Sequence, residues 1–253
     1  MWAWGLLTIL ISLITQMSHG SDFNDEGGGT IVPKSKYPQV IQIKTEQGAC
    51  TATIVGPNVI LTAAHCGYEK DENYENVIPE GKKGWFYLND EKYEFTFLPS
   101  SRISKDIRMG KAPDLSVGIT AQAISNIRPL SINFKAPSTQ MLIGLGYGCV
   151  SGSLTETLLK TKELDALKRY MISFDDSRNT YACTGDSGGP TLAIRDKHLE
   201  VIGVHVGTDL LKETRDVRSD SSQFITFITS IADQHNLKIC GHNTECNKFT
   251  SNN

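Results

Sequence analysis

Two short segments carry side chains that can do chemistry together. One is Cys183-Thr184-Gly185-Asp186-Ser187-Gly188-Gly189-Pro190, which offers a hydroxyl in a glycine-rich turn. The other is Leu61-Thr62-Ala63-Ala64-His65-Cys66, which offers an imidazole beside a cysteine. A serine hydroxyl is a poor nucleophile until a neighbouring base takes its proton, so each segment supplies what the other lacks. The glycines meet a second need of acyl transfer. Backbone N–H groups must point at the oxyanion of a tetrahedral intermediate, and residues without Cβ turn tightly enough to aim them. Taken singly, Ser187 reads as an ordinary turn serine and His65 as a core or surface histidine; the chemistry lies in having both.

Together the two blocks resemble the active-site signatures of trypsin-like serine proteases, and the similarity runs from about Ile31 to about Asp233. The resemblance implies an all-β fold of two six-stranded antiparallel β-barrels closed by a C-terminal α-helix. It also implies Ser187 as nucleophile, His65 as general base and the N–H groups of Gly185 and Ser187 as oxyanion hole. A third group must hold the imidazole in one tautomer. Asp114, in Ala112-Pro113-Asp114-Leu115-Ser116-Val117, resembles the family's aspartate opening an apolar strand, and Asp106, among Ser104, Lys105 and Arg108, is its rival. The chain order His, Asp, Ser also follows this family.

Three features depart from the family: the activation segment, the specificity pocket and Cys183, whose family counterpart pairs with a cysteine downstream. There, cleavage releases an Ile-Val amine that pairs with the aspartate before the serine, here Asp186. This chain has Ile31-Val32 followed by Pro33-Lys34 and preceded by Thr30, so tryptic activation is not expected. Another protease cuts there, or Asp186 takes a different partner, or the site is incompletely formed. The specificity pocket also differs. Its floor falls on Tyr181 and its wall on Val204-His205-Val206-Gly207, while Asp216 stands where a small residue is usual. Asp216 could attract a basic side chain, yet a solvated loop acid and a packed Tyr181 are the plainer readings, and His205 receives no role.

These residues need a scaffold, and the chain supplies strands. Pro38–Ile43 alternates polar and apolar, Thr51–Val55 is β-branched, and Val59–Thr62, Trp85–Leu88, Tyr93–Leu98 and Leu115–Ile119 continue the series. The second half repeats it at Gln140–Leu145, Thr191–Ile194 and Val201–Val206. Short runs punctuated by Gly, Pro, Asn and Asp predict a barrel or sandwich, and two barrels of similar length fit their spread. Phe224, Phe227, Ile228, Ile231 and Ala232 follow helical spacing instead, with Ser221 or Ser222 as cap.

Composition narrows the class. With 39% apolar and 21% charged residues the chain is globular rather than disordered. A net charge of -3 leaves no nucleic-acid footprint and no basic run for a membrane surface. Residues 1–20 read as a secretory signal, because the apolar run Trp2–Thr15 is shorter than the ~20 residues that span a bilayer. Residues 21–30 read as a short propeptide-like segment, 31–239 as the protease domain and 240–253 as a loosely attached polar tail.

Six cysteines in an exported chain predict three disulfides, with 15 pairings open. The resemblance implies Cys50–Cys66, the spacing of Cys240 and Cys246 closes a small tail loop, and Cys149–Cys183 remains. That last pairing is sterically reasonable because, in the family, the segment after Gly146-Tyr147-Gly148 lies beside the serine loop. A zinc site competes for Cys and His, but the spacings fit no finger pattern. The expectation is a secreted, monomeric endopeptidase without metal or cofactor, with protein or peptide substrates and protein protease inhibitors as partners. The alternatives are a catalytically weak or inactive protease-like module serving binding or regulation, and an esterase using the same triad.

Overall fold

Alternation along short apolar runs shapes each half of the chain into a barrel. The computed structural model describes residues 29–73, 75–135, 141–150, 152–164, 170–174, 182–208 and 214–246. The expected signal segment, residues 21–28, Tyr181 and residues 247–253 lie outside them.

In chain order the first half holds β1 (Thr30–Val32), β2 (Val40–Thr45), β3 (Gly48–Gly56), β4 (Val59–Thr62), β5 (Glu69–Lys70), β6 (Asn76–Val77), β7 (Lys83–Leu88), β8 (Glu91–Pro99), the short helix α1 (Ser104–Arg108) and β9 (Ser116–Thr120). Strands β2, β3, β4, β9, β8 and β7 pair in that order and close into a barrel. The second half holds β10 (Ser131–Ile132), β11 (Met141–Gly146), β12 (Leu154–Leu164), β13 (Tyr170–Phe174), β14 (Pro190–Arg195), β15 (His198–Thr208), β16 (Thr214–Arg218) and the helix α2 (Ser222–His235). Here the path β12-β11-β14-β15-β16-β13 returns from β13 to β12, so six strands again form a ring. β1 lies antiparallel along β12, pairing Ile31 with Thr155. The architecture is the all-β, two-barrel fold with a C-terminal helix that the resemblance implied.

Strand periodicity sorts the core into separate layers. Ile54, Ile60, Phe86, Phe95 and Phe97 fill the first barrel, with the Phe95 and Phe97 rings 4.9 Å apart. Their neighbours Val55, Val59 and Leu61 face the other way and pack on Leu145, Leu154, Leu192 and Val217 of the second barrel. Both faces of β4 are therefore buried, which is why Val59–Thr62 is apolar without alternation. Among the described residues, the second barrel holds a small apolar cluster of Leu142, Leu159, Ala193 and Ile202. Beside it lie the buried polar side chains of Thr155, Thr191, His205, Thr214 and Asp216.

Helix α2 is placed by its apolar stripe: Phe224, Phe227, Ile228 and Ala232 are buried. Ser221, rather than Ser222, caps it by accepting from Phe224 N–H at 3.2 Å, and Asn236 ends it in a left-handed conformation. The tail starts as an anchored loop. Cys240 donates to Val55 O at 2.8 Å, accepts from Ile132 N–H at 2.9 Å, and is bonded to Cys246.

Two substitutions test this packing by equilibrium unfolding. Phe95→Ala should cost about 3–5 kcal/mol through the cavity it leaves inside the first barrel. Ser221→Ala should cost about 1 kcal/mol through the lost cap, with the barrels intact.

Candidate active site

The ends of two paired strands bring His65 and Asp114 together. β4 and β9 are antiparallel, with Thr62 opposite Ser116, so the chain leaving β4 meets the chain entering β9. His65 lies three residues beyond Thr62, on the 3-10 turn Ala64–Gly67, and Asp114 lies two before Ser116. One carboxylate then holds the histidine twice. Oδ1 accepts the His65 backbone N–H at 2.9 Å, and Oδ2 lies 2.7 Å from ring Nδ1. With Nδ1–H committed to the carboxylate, the neutral imidazole keeps its lone pair on Nε2. Asp106, the rival, instead bonds Ser101 Oγ and lies 3.5 Å from Lys111 Nζ.

Electrostatics at His65 follow from this contact. Burial works against the imidazolium, but the Asp114 hydrogen bond and charge outweigh it, and the pKa rises above the ordinary 6.5. Three residues further on, Tyr68 has a buried hydroxyl with no hydrogen-bond partner among the described residues. Burial first, then the Asp114 charge, pushes its ionisation well up, so it stays neutral beside the carboxylate.

Ser187 comes from the second barrel, on the turn leading into β14. Several backbone groups of that turn are occupied. Asp186 N–H donates to Cys183 O at 3.0 Å, Gly189 N–H to Asp186 O at 2.8 Å, and Gly188 N–H to His205 O at 2.7 Å. Among the described residues, the N–H groups of Gly185 and Ser187 donate to nothing. Two uncommitted amides flanking one residue are the kind of donors an anion-binding concavity requires. Gly185 has φ +105° and Gly188 φ +84°, a region that side chains rarely adopt, and a Cβ on Gly188 would strike Thr62 and Thr51.

The two halves of the site meet at Thr51 of β3. Its N–H donates to Ser187 O at 2.9 Å, and its hydroxyl donates to Gly185 O at 2.8 Å. The same hydroxyl accepts from Tyr147 N–H at 3.0 Å, while Thr51 O accepts from Thr62 Oγ1 at 2.8 Å. The Cys50–Cys66 disulfide runs alongside, with Cys66 Sγ 3.7 Å from Ser187 O. No hydrogen bond joins the His65 ring to the Ser187 hydroxyl among the described residues. Thr51 was not singled out in the sequence, where it reads only as part of a β-branched run.

Asp186, preceding Ser187, is buried. Oδ1 accepts Gly148 N–H and Oδ2 accepts Cys183 N–H, each at 2.7 Å. Cys149 and Cys183 are bonded to each other beside it. Of the expected pocket residues, Gly207 lies half-buried on β15, with open space where a side chain would point. Asp216 is wholly buried on β16, with Oδ1 3.4 Å from Nδ1 of buried His205. Both border a cavity of about 30 Å³ behind the serine turn, lined also by Gly146, Thr155, Asp186, Thr191 and Thr214. His205, given no role from sequence, is thus a neighbour of the turn through both backbone and ring. The groups of three metal-type side chains, Cys50 with His65 and Cys66, and Cys149 with Cys183 and Asp186, all contain disulfide sulfurs, which lack the thiolate a metal needs.

Two measurements check this geometry. NMR titration of the His65 ring should give a pKa above 6.5; in Asp114→Asn the opposing burial should dominate and bring it below 6.5. Thr51→Val should destabilise the fold by about 1–3 kcal/mol, because Gly185 O and Tyr147 N–H lose a buried partner, as read by denaturant unfolding.

Comparison with known proteins places the chain in a family. The chain is 27% identical to Chymotrypsin-2 of Vespa crabro over 183 residues, covering 66% of this chain and 82% of that protein. It is 21% identical to Granzyme M of Homo sapiens over 238 residues, covering 81% of this chain and 89% of that protein. The sequence model of the Trypsin family matches residues 27–228, most of the chain, and both barrels lie within that match. On this evidence the protein belongs to the trypsin family.

Proposed function

We propose that the chain is a secreted serine endopeptidase that hydrolyses peptide bonds through an acyl-enzyme on Ser187. The observation that carries this reading is the serine turn itself. It leaves the Gly185 and Ser187 amides uncommitted on either side of Asp186, while His65, its ring held by Asp114, lies beside the disulfide that touches the Ser187 carbonyl.

In this reading Ser187 Oγ attacks the scissile carbonyl and His65 Nε2 takes its proton. The imidazolium forms against the Asp114 carboxylate, which orients and stabilises it without accepting the proton. The Gly185 and Ser187 amides receive the oxyanion, each such donor being worth about 10²–10³ in rate. His65 then gives its proton to the leaving amine. In the second half-reaction Nε2 deprotonates a water that attacks the acyl carbon and frees Ser187. The Ser187 hydroxyl needs no metal or cofactor for this. Peptide segments of proteins are the substrates, protein protease inhibitors the natural opponents, and the monomer suffices because both barrels come from one chain.

The absence of a hydrogen bond between the His65 ring and the Ser187 hydroxyl favours a second reading, a protease-like module serving recognition. Catalytic contacts are commonly long before substrate binds, which keeps the enzyme reading first.

A fluorophosphonate probe separates the two, since only an activated serine reacts. The purified chain should be labelled, and Ser187→Ala should lose both labelling and amide hydrolysis. Unchanged hydrolysis of a peptide library by Ser187→Ala would end the assignment. Because His65 is a base only when neutral and its pKa is raised, kcat/KM should climb with pH through a value above 6.5. Asp114→Asn should lower kcat by about 10⁴.

A further inference from the structure

The resemblance implied that a released amine at Ile31 must reach Asp186 before the serine turn takes shape. The structure assigns that task to groups already in the chain. We propose that Asp186 is a positioning residue, locked by the Gly148 and Cys183 amides and stapled by the Cys149–Cys183 disulfide. The oxyanion-binding turn then forms without cleavage before Ile31. This rests on Ser187 being the nucleophile.

Three observations converge. First, the Asp186 carboxylate is buried and each oxygen accepts a backbone N–H at 2.7 Å. Charge-assisted bonds of this kind are about twice as strong as neutral ones and offset much of the cost of burying the charge. Both donors flank one covalent link, since Gly148 precedes Cys149 and Cys183 is its partner, with Cα atoms 5.0 Å apart. The disulfide therefore ties together the two chain segments whose amides meet on the one carboxylate.

Second, Gly146 and Gly148 are shaped to Asp186. A Cβ on Gly146 would collide with the carboxylate, and one on Gly148 would come within 2.6 Å of Asp186 N and Thr184 O. The 146–148 segment acts as a backbone mould for this one side chain. Asp186 in turn sits between the two uncommitted amides, so fixing it fixes the spacing of Gly185 N–H and Ser187 N–H.

Third, the Ile31 segment is engaged elsewhere. β1 is laid on the edge of β12, pairing Thr30, Ile31 and Val32 with Glu156, Thr155 and Leu154. The Ile31 side chain is 58% exposed, not sunk toward the carboxylate. Nearby, Glu156 accepts from both Lys36 Nζ and Tyr37 hydroxyl and ties down the next stretch of chain.

The test labels the full chain with a fluorophosphonate and reads the intact mass of the labelled species. Chains that retain residues before Ile31 should label within about threefold of the rate of a chain cut there through an engineered protease site. Labelling confined to the cut chain would overturn the proposal and leave the enzyme reading standing; labelling of neither form would instead sink the enzyme reading. In the uncut protein, Cys149→Ser with Cys183→Ser should lower kcat by about 10²–10³, the loss expected when one oxyanion donor is misaligned. KM for a small ester and the His65 titration should not move, whereas a general loosening of the fold would shift both. Cys240→Ser with Cys246→Ser is the control and should keep kcat. Should the first double variant fail to fold by circular dichroism, Gly146→Ala carries the same expectation. A folded variant of either kind with wild-type kcat would refute the lock.

Discussion

The site depends on Thr51, a threonine of the first barrel that holds the serine turn of the second. Its N–H, hydroxyl and carbonyl engage Ser187, Gly185, Tyr147 and Thr62, so one wholly buried residue ties both barrels to one turn. Buried backbone groups must be paired, and two of the turn's carbonyls, Gly185 O and Ser187 O, find their partner across the interface in Thr51, while Cys183 O, Asp186 O and Gly189 O are satisfied within their own barrel. Docking the barrels and shaping the turn are therefore a single event. The apolar layer of Val55, Leu61, Leu145 and Leu192 supplies the burial that makes the docking favourable, and Thr51 gives it a register.

Charge is handled by the same rule. Asp114 and Asp186 are buried carboxylates, and each meets two donors, at least one of them backbone N–H. A carboxylate held from two sides can orient its neighbours without drifting toward solvent. Asp114 fixes a ring; Asp186 is placed to fix a turn. The buried polar side chains of the second barrel, with His205 facing Asp216 at 3.4 Å, show how much of that barrel serves the loop at its mouth. The first barrel is instead filled with aromatic rings, Phe86, Tyr93, Phe95 and Phe97 among them.

Much of the fold is legible along the chain because burial leaves a period. The runs at Thr51–Val55, Tyr93–Leu98 and Val201–Val206 all fall within strands, and the spacing of Phe224, Phe227 and Ile228 marks α2. β12 was not legible. Leu154–Leu164 is Leu-Thr-Glu-Thr-Leu-Leu-Lys-Thr-Lys-Glu-Leu, rich in good helix formers. It is a strand because β11 occupies one edge while β1 and β13 share the other. Pairing on both sides overrides a propensity of a few tenths of a kcal/mol per residue. β16 was hidden likewise, since Thr214-Arg215-Asp216-Val217-Arg218 buries two of its charges, Asp216 and Arg218, and shows only Arg215.

The sequence alone determined the reacting side-chain types, the family and the all-β class, because chemistry demands particular residues and burial demands particular periods. Only the tertiary structure decided which donors meet Asp186, that Thr51 joins the barrels, and that Asp216 faces His205 inside one of them. Those contacts join residues many positions apart, and they leave no local pattern because any polar residue in a strand looks alike until the sheet closes around it.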